Sequence, residues 1–292
     1  MSPVQFCGLK LGHPIINGSG TFDAIAARRA FGDALDREFP FAAFVSKTIT
    51  LRPRAGNPPP RLWEASAGLL NSIGLPNRGL DGYLAEDLPE LARWLPVPLV
   101  TNVMGSTAAE IAQLVQACDA REEIAAVELN VSCPNVQTGL DIGADPDQLE
   151  AVVRAVRPST SKPLIVKLTP NTADVSACAR AAQEGGADAV SLINTLRAMA
   201  LAPGPVNPSR RWLGGGTGGL SGPAIRGVAL AQVAAAAERV EIPVIGMGGV
   251  QSAAHAQDLL DVGATLVAVG TESFRDPMAG ARIARELAFR AA

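Results

Sequence analysis

Short apolar runs recur along the chain, and most of them end at a glycine or polar residue before an alanine-rich amphipathic stretch. The runs predict eight strands, at residues 14–17, 42–47, 98–103, 125–130, 164–168, 189–194, 243–247 and 265–270. The stretches between them predict helices that include residues 107–117, 146–156, 172–184, 224–239 and 252–262.

Strands that alternate with helices and are apolar nearly throughout predict a parallel sheet covered by helices, which is an α/β fold. Eight such units in 292 residues predict a (β/α)8 TIM barrel that occupies residues 1–292 as a single domain. A doubly wound open sheet is the alternative, but the Gly-x-Gly-x-x-Gly turn that usually follows its first strand is missing. The barrel is favoured.

The composition is globular, with 48% hydrophobic and 18% charged residues. A net charge of −3 without a basic run, and 4% aromatic residues, argue against nucleic acid and anionic membranes as partners. The four cysteines (Cys7, Cys118, Cys133 and Cys178) lie too far apart to suggest a metal, disulfide or iron–sulfur site. Because no signal pattern and no apolar stretch of ~18 residues occurs, we expect a cytoplasmic location.

Polar or glycine residues stand at the carboxyl ends of the predicted strands. They are Asn17 with Ser19 and Gly20, Lys47 with Thr48, Asn102, Asn130, Lys167, Asn194 with Thr195, Gly248 with Gly249, and Gly270 with Thr271. Active sites of barrels are built at this rim. Turns explain each Asn or Gly alone, but Lys47 and Lys167 end apolar strands, where a buried ammonium needs a partner. The pattern therefore predicts a ligand site at the carboxyl rim.

The last two predicted strands end in glycine turns that open helices. Glycine lets backbone N–H groups close on an anion, and barrels commonly hold phosphate in the loops after strands seven and eight. A third glycine-rich stretch, residues 214–223, either adds amides to the phosphate or serves as a flexible lid or connector.

Cys133 follows a predicted strand directly and lies between Asn130 and Asn135. A small buried thiol beside turn residues is one interpretation, and a group for acid–base or nucleophilic work is the other. A phosphate-bearing cofactor, a lysine and a cysteine together suggest flavin chemistry. The lysine would stabilise the reduced ring, and the cysteine would remove a proton while hydride leaves the adjacent carbon.

The chain resembles the class 1 dihydroorotate dehydrogenases, and most of all their B-type catalytic subunits. The matching segments are Lys47-Thr48, residues 56–61, 70–75, 129–135, 166–171, 193–196 and 217–223, and the two final glycine turns. They span nearly the whole chain. The resemblance implies a barrel that holds FMN and oxidises (S)-dihydroorotate to orotate in the biosynthesis of pyrimidines (UMP).

Residue roles follow from the same resemblance. Cys133 is the base that takes the proton from C5 while hydride passes from C6 to flavin N5, and Lys47 is the second catalytic residue. Flavin contacts fall on Ser19, Lys47, Thr48, Asn102, Asn130, Lys167, Ile193, Gly222, Gly248, Gly249, Gly270 and Thr271. Substrate contacts fall on Lys47, Asn71, Ser72, Ile73, Gly74, Leu75, Asn130, Asn135, Asn194 and Thr195. By itself, the segment 71–75 reads as a loop.

The B-type resemblance implies an electron-transfer subunit with FAD and a [2Fe–2S] cluster that passes electrons to NAD. It also implies a homodimer of this chain within a heterotetramer. Four alternatives remain. They are an A-type enzyme that uses fumarate, a dihydropyrimidine dehydrogenase, which usually has histidine where Asn135 stands, a non-redox phosphate-binding barrel, and a catalytically inert subunit kept for assembly, against which the intact Lys47, Cys133 and Lys167 argue. The chain departs from the family at Asp23, usually glycine, at the loop 135–146 and at residues 197–212.

Overall fold

The computed structural model describes residues 3–131, 141–202 and 211–290. Its strands are β1 (Val4–Phe6), β2 (Leu9–Leu11), β3 (Ile15–Asn17), β4 (Phe44–Val45), β5 (Leu62–Ala65), β6 (Gly68–Asn71), β7 (Leu99–Val103), β8 (Ile124–Asn130), β9 (Leu164–Lys167), β10 (Ala189–Leu192), β11 (Leu196–Ala198), β12 (Gly218–Ser221), β13 (Val244–Met247) and β14 (Leu266–Val269). Its α-helices are α1 (Ala24–Phe31), α2 (Ala34–Arg37), α3 (Gly79–Gly82), α4 (Leu88–Ala92), α5 (Ala108–Asp119), α6 (Pro146–Val156), α7 (Val175–Glu184), α8 (Arg226–Ala237), α9 (Ala253–Asp261) and α10 (Ala279–Arg290). A π-helical turn, Tyr83–Asp87, joins α3 to α4.

Eight parallel strands form the main sheet, in the spatial order β3-β14-β13-β10-β9-β8-β7-β4. Its two edge strands meet, because Ala42 N–H donates to the carbonyl of Ile15 at 2.9 Å. The Asn17 carboxamide then accepts from Val45 N–H and donates to the Val45 carbonyl, both at 2.8 Å. Asn17 therefore acts as a short length of strand that closes the barrel, and the predicted (β/α)8 fold is confirmed.

The helices begin where side chains cap their first turns. Thr107, Asp145, Asp174 and Ser252 each accept a hydrogen bond from a backbone N–H at the start of α5, α6, α7 and α9. Such caps satisfy donors that have no partner inside the helix. The predicted starts of α5, α7 and α9 lie one to three residues early because they include the cap or the turn before it.

The barrel interior is apolar at the amino-terminal ends of the strands and polar at their carboxyl-terminal ends. Its amino-terminal half is apolar and includes Val45, Val100, Ala126, Ile165 and Ala189. The hairpin of β1 and β2, which the sequence did not predict, adds Phe6 and Leu11 to the same cluster. Because strand side chains alternate between faces, the residues two positions further along also point inward. The carboxyl-terminal half therefore receives the polar side chains that the strand ends carry.

A second sheet of four antiparallel strands, in the order β11-β12-β6-β5, stands outside the barrel and was not predicted. Glycines in residues 214–219 let it pack closely: a Cβ on Gly218 would lie 2.4 Å from the Asn71 carbonyl oxygen. A Cβ on Gly214 would lie 1.9 Å from the Pro58 carbonyl oxygen. These glycines allow close packing against neighbouring residues, and the predicted alternatives for residues 214–223, amides for a phosphate or a flexible lid or connector, stay predictions. Gly222, at the end of the stretch, borders the glycine turns of the rim.

Among the described residues, no helix is both long and apolar enough to cross a membrane. The cytoplasmic location stays a prediction.

Candidate active site

Six polar side chains point into the carboxyl-terminal half of the barrel. Five of them follow an apolar interior residue of their strand by two positions, and the last follows one by four positions: Lys47, Asn102, Glu128, Lys167, Ser191 and Asn130. Asn130 pairs with Lys167 in the register of β8 and β9, and Asn102 pairs with Glu128 in that of β7 and β8. The predicted gathering of strand-end residues at one rim is thus confirmed.

Lys167 ends β9 with only 5% of its surface exposed. No hydrogen bond or ion pair reaches its ammonium from any residue that the structure describes. A buried charge without a partner is costly. The position therefore suits an acceptor on a bound molecule.

Lys47 is half-buried at the opposite side of the rim. Its Nζ would lie 3.6 Å from a Cβ placed on Gly20, so the ammonium lies against the turn that follows β3. Ser19, in the same turn, donates to the carbonyl of Ser46 at 2.7 Å. A cavity of about 590 Å³ opens beside Lys47, between that turn, α1 and the segment Tyr83–Leu91. Lys47 therefore borders both the rim and this cavity.

Tyr83 and Asp23 line this cavity without reaching the barrel interior. The Tyr83 hydroxyl lies 2.7 Å from Thr101 Oγ1, and burial raises the pKa of this phenol. Asp23 accepts from Ala26 N–H at 2.9 Å and is the N-cap of α1. A helix cap accounts for the acidic residue where the resembling family usually has glycine.

A hydrogen-bonded chain crosses the barrel below the rim. Asn102 Nδ2 donates to Glu128 Oε2 at 2.5 Å, and Ser191 Oγ donates to Glu128 Oε1 at 2.7 Å. Glu128 is 2% exposed, and Asn102 and Ser191 are fully buried. The other end of the Asn102 amide, Oδ1, is buried and has no hydrogen-bond partner among the residues that the structure describes. Such an oxygen calls for a donor from a bound molecule.

Two rim residues, Asn130 and Thr48, contact each other above the end of β7, the strand that lies between β8 and β4. Asn130 Nδ2 donates to Thr48 Oγ1 at 3.4 Å, and both residues are buried. The contact joins the ends of β8 and β4 and places both predicted flavin contacts on one surface.

The glycine turns after β13 and β14 have the geometry of an anion site. Gly248 and Gly249 have φ of 136° and 69°, which side chains rarely adopt. A Cβ on Gly249 would lie 3.0 Å from the carbonyl oxygen of Gly222, so the turn after β13 contacts the residue that follows β12. Thr271, directly after Gly270, donates to Ser221 Oγ at 2.7 Å. Ile193 is buried nearby, where a Cβ on Gly248 would lie 3.4 Å from its Cγ1.

The predicted substrate segment begins at the last residue of β6 and continues as a loop. Asn71 Nδ2 donates to the Gly219 carbonyl at 3.3 Å, and Gly74 and Leu75 have φ of 74° and 55°. The Ile73 carbonyl accepts from Asn57 N–H at 3.0 Å. This segment therefore has a fixed, tightly bonded path.

Ser72 lies in the same segment but is fully buried. Its hydroxyl accepts from Asn57 Nδ2 at 3.0 Å, and a Cβ on Gly215 would lie 2.3 Å from it. Internal contacts therefore occupy the Ser72 hydroxyl.

Asn194 and Thr195 lie across from Asn71, because both sides contact Gly219. Asn71 pairs with Gly219 in the sheet, and a Cβ on Gly219 would lie 2.0 Å from Thr195 Oγ1. Asn194 Oδ1 accepts from Thr195 N–H at 2.9 Å. The structure thus brings together the predicted substrate residues Asn71, at the end of β6, and Asn194 and Thr195, which follow β10. Cys133 and Asn135 lie outside the described residues.

These features fit a flavin. Among the described residues, Lys167 and Asn102 Oδ1 have no hydrogen-bond partner, so they can offer a donor and an acceptor to a polar ring, and the glycine turns can offer backbone N–H groups to a phosphate. Within the described ranges, no group of three or more His, Cys, Asp or Glu side chains could hold a metal ion.

Comparison with known families decides the relationship. The profile of the family described as dihydroorotate dehydrogenase matches residues 1–290. The chain belongs to the dihydroorotate dehydrogenase family. This membership confirms the predicted resemblance and makes the chain one of a family of flavin-dependent oxidoreductases of pyrimidine biosynthesis.

Individual relatives in the dihydroorotate dehydrogenase family point the same way. The chain is 44% identical over 285 residues to the dihydroorotate dehydrogenase B (NAD(+)), catalytic subunit, of Citrifermentans bemidjiense, covering 97% of this chain and 91% of the relative. It is 45% identical over 282 residues to the protein of the same name from Geotalea daltonii, covering 96% and 90%. The words "catalytic subunit" imply a separate partner subunit in those proteins.

A solved structure supports the fold alone. The dihydroorotate dehydrogenase of Eimeria tenella, crystallised in complex with ferulenol, superimposes with a TM-score of 0.78 at 21% identity. The match covers 98% of this chain and 83% of that one.

Sequence reasoning missed Glu128, Ser191 and Ser221. Glu128 lies within an apolar run that reads as an ordinary buried strand, and only its inward register distinguishes it. A charged residue in such a run was the signal that could have found it.

Proposed function

We propose that this chain oxidises (S)-dihydroorotate to orotate, with FMN held at the carboxyl rim of the barrel, as a step in UMP biosynthesis. The observation that carries the proposal is the buried Lys167 ammonium without a partner among the described residues, at the rim of a barrel in this family. The names of the relatives support the substrate and the reaction.

The reaction removes a proton from C5 and a hydride from C6, and a C5–C6 double bond forms. When bound, FMN supplies the acceptor for the hydride. Cys133, as the thiolate, accepts the proton and becomes a thiol, because a cysteine with an unperturbed pKa of about 8.5 is partly ionised close to neutral pH. Lys47, at the rim, stabilises negative charge that develops on the reacting partners.

The chain's carboxamides hold the substrate. Asn71, Asn130, Asn135 and Asn194 each offer one donor group and one acceptor, which suits the alternating N–H and C=O groups of a pyrimidine ring and its carboxylate. The close approach of β6 and β12, through Gly219, supports a common binding surface for Asn71 and Asn194.

Electrons leave the site for NAD through an electron-transfer subunit that carries FAD and a [2Fe–2S] cluster. The relatives' name, with its NAD(+) and its catalytic subunit, supports this acceptor over fumarate. The wide spacing of Cys7, Cys118, Cys133 and Cys178 supports a cluster held by another chain.

A homodimer forms the centre of this assembly. Three large apolar side chains are exposed in and beside the antiparallel sheet: Leu62 at 51%, Met199 at 50% and Leu201 at 45%. Exposed apolar groups of this kind support an interface between copies of the chain.

Two measurements test the function. Mass spectrometry of the cofactor released on heating should identify FMN, and the purified chain with a dye acceptor should convert (S)-dihydroorotate to orotate. A chain that purifies without flavin and cannot be reconstituted with FMN would refute the proposal. For the acceptor, NAD reduction by dihydroorotate should require a co-purifying subunit, whereas fumarate-dependent turnover by the chain alone would refute the NAD linkage.

A further inference from the structure

Glu128 has no part in the chemistry proposed above, yet it is the charged residue most deeply placed in the polar half of the barrel. Its side chain is 2% exposed and has two donors, Asn102 Nδ2 at 2.5 Å and Ser191 Oγ at 2.7 Å. Burying a carboxylate costs free energy unless hydrogen bonds or an opposite charge compensate it.

The contact with Glu128 determines which way the Asn102 amide faces. The NH2 end of the amide meets Glu128 Oε2 at 2.5 Å, and a carboxylate, which only accepts hydrogen bonds, stabilises that orientation. The carbonyl end, Oδ1, is then directed away from Glu128, where it is buried and has no partner within the described part of the chain. If the amide were reversed, two oxygens would face each other and the NH2 group would be left unpaired instead.

The backbone leaves Asn102 little other freedom. Asn102 N–H donates to Ser46 Oγ at 3.0 Å, and the residue is the next to last of the buried strand β7. Its side chain is fully buried, so water does not compensate Oδ1. The amide is therefore a preset acceptor inside the rim.

We infer that Glu128 is a positioning residue: it orients Asn102 so that the site presents a hydrogen-bond acceptor, and not a donor, to the flavin. This inference rests on the proposed function, because it names the flavin as the molecule that supplies the donor. An oxidised flavin ring carries a single N–H group, and its ribityl chain carries hydroxyl groups, so each could satisfy Oδ1. A donor at this position would instead repel them.

The test measures FMN affinity of the apoprotein by fluorescence quenching, with the melting temperature of each apoprotein recorded beside it. Glu128→Leu fills the same space without an acceptor, so the amide loses its orientation and the Kd should rise about ten-fold. Glu128→Gln can still accept from Asn102 through its carbonyl oxygen, so its Kd should stay within about two-fold of the unaltered chain.

A double-mutant cycle shows whether Glu128 acts through Asn102. Asn102→Ala should raise the Kd by a similar factor, and the double variant Glu128→Leu/Asn102→Ala should bind FMN no more weakly than Asn102→Ala alone. Glu122→Gln, on the exposed residue two positions before β8, is the matched control for loss of a carboxylate and should bind as the unaltered chain does.

Glu128→Asp guards against a Glu128→Leu protein that fails to fold, because it keeps the charge but withdraws the carboxylate from Asn102. It should show the same rise in Kd as the leucine variant. Unchanged FMN affinity in Glu128→Asp or Glu128→Leu would overturn the inference. The inference would also be overturned if the losses of FMN affinity in the two single variants multiplied in the double variant, because the two residues would then act independently. An equal loss of affinity in Glu128→Gln would overturn it too, because it would show an effect of charge and not of orientation. Failure of the unaltered chain to bind FMN in the same titration would overturn the proposed function as well.

Discussion

The hydroxyl of Thr271 donates to Ser221 Oγ at 2.7 Å. Ser221 in turn donates to the Leu69 carbonyl at 3.3 Å. This chain of hydroxyls links the glycine turn after β14 to the antiparallel sheet outside the barrel. The sheet that was absent from the sequence prediction therefore supports one wall of the proposed phosphate site.

Ser221→Ala removes the acceptor that holds the Thr271 hydroxyl. FMN affinity should fall about three- to ten-fold, because one fixed hydrogen-bonding group at the phosphate is lost. Riboflavin, which lacks the phosphate, should bind the variant and the unaltered chain equally well. Titrations of both flavins check this, and an equal loss for the two would place Ser221 away from the phosphate.

Lys167→Ala removes the buried ammonium at the end of β9. Because a charged donor is worth more than a neutral one, we expect FMN affinity to fall roughly ten- to a hundred-fold. The matched control is Lys162→Ala, before the same strand, where Nζ donates to the Ile124 carbonyl at 2.6 Å at the opposite end of the barrel. That variant should lower the melting temperature and leave FMN affinity unchanged. Normal flavin binding by Lys167→Ala would contradict the account of the rim.

Gly249→Ala places a Cβ 2.8 Å from Arg226 Cβ at a residue with φ of 69°. Strain of this kind costs of order 1–3 kcal/mol, so both the free energy of unfolding and the FMN affinity should fall. Gly227→Ala is the control, because a Cβ there meets nothing within 4 Å and the residue lies in α8. It should be neutral or stabilise by up to about 1 kcal/mol. Urea unfolding of the apoproteins measures both, and equal stability of the two variants would contradict the strain.

The described cysteines should be poor nucleophiles. Burial, with a smaller effect of the Asp188 charge, raises the pKa of Cys7 to about 11, and burial raises that of Cys118 to about 12. Burial also raises the pKa of Cys178. Alkylation requires the thiolate, of which Cys7 at pH 8 has only about one part in a thousand. Iodoacetamide at pH 8 should therefore modify Cys133 first, with orotate protecting it, as peptide mapping can show. Faster labelling of Cys7 would contradict this.

The barrel was predictable because its strands are buried on both faces, so their apolar runs stand out between amphipathic helices. The antiparallel sheet was not, because Gly218 and Gly219 within β12 weigh against a strand. Glycine is needed at these two positions because the backbone approaches Asn71 and Thr195 closely, and both of those residues are distant in sequence. Such pairings are tertiary and leave no local pattern.

Some residues of the site could also be predicted from the sequence, and others could not. Lys167 and the glycine turns could be predicted because strand ends of a barrel converge at one rim. The contact of Glu128 with Asn102 could not, because it depends on the register between β7 and β8. The role of Cys133 stays a prediction.

Anaerobic reduction of the bound flavin by (S)-dihydroorotate tests the central claim most directly. The account predicts that the visible absorbance of the purified chain bleaches within seconds, with about one orotate formed per flavin. Cys133→Ser should keep its flavin but bleach far more slowly at neutral pH, with partial recovery as the pH rises, because a hydroxyl is a weaker acid than a thiol. A yellow chain whose flavin dihydroorotate does not reduce would contradict the account.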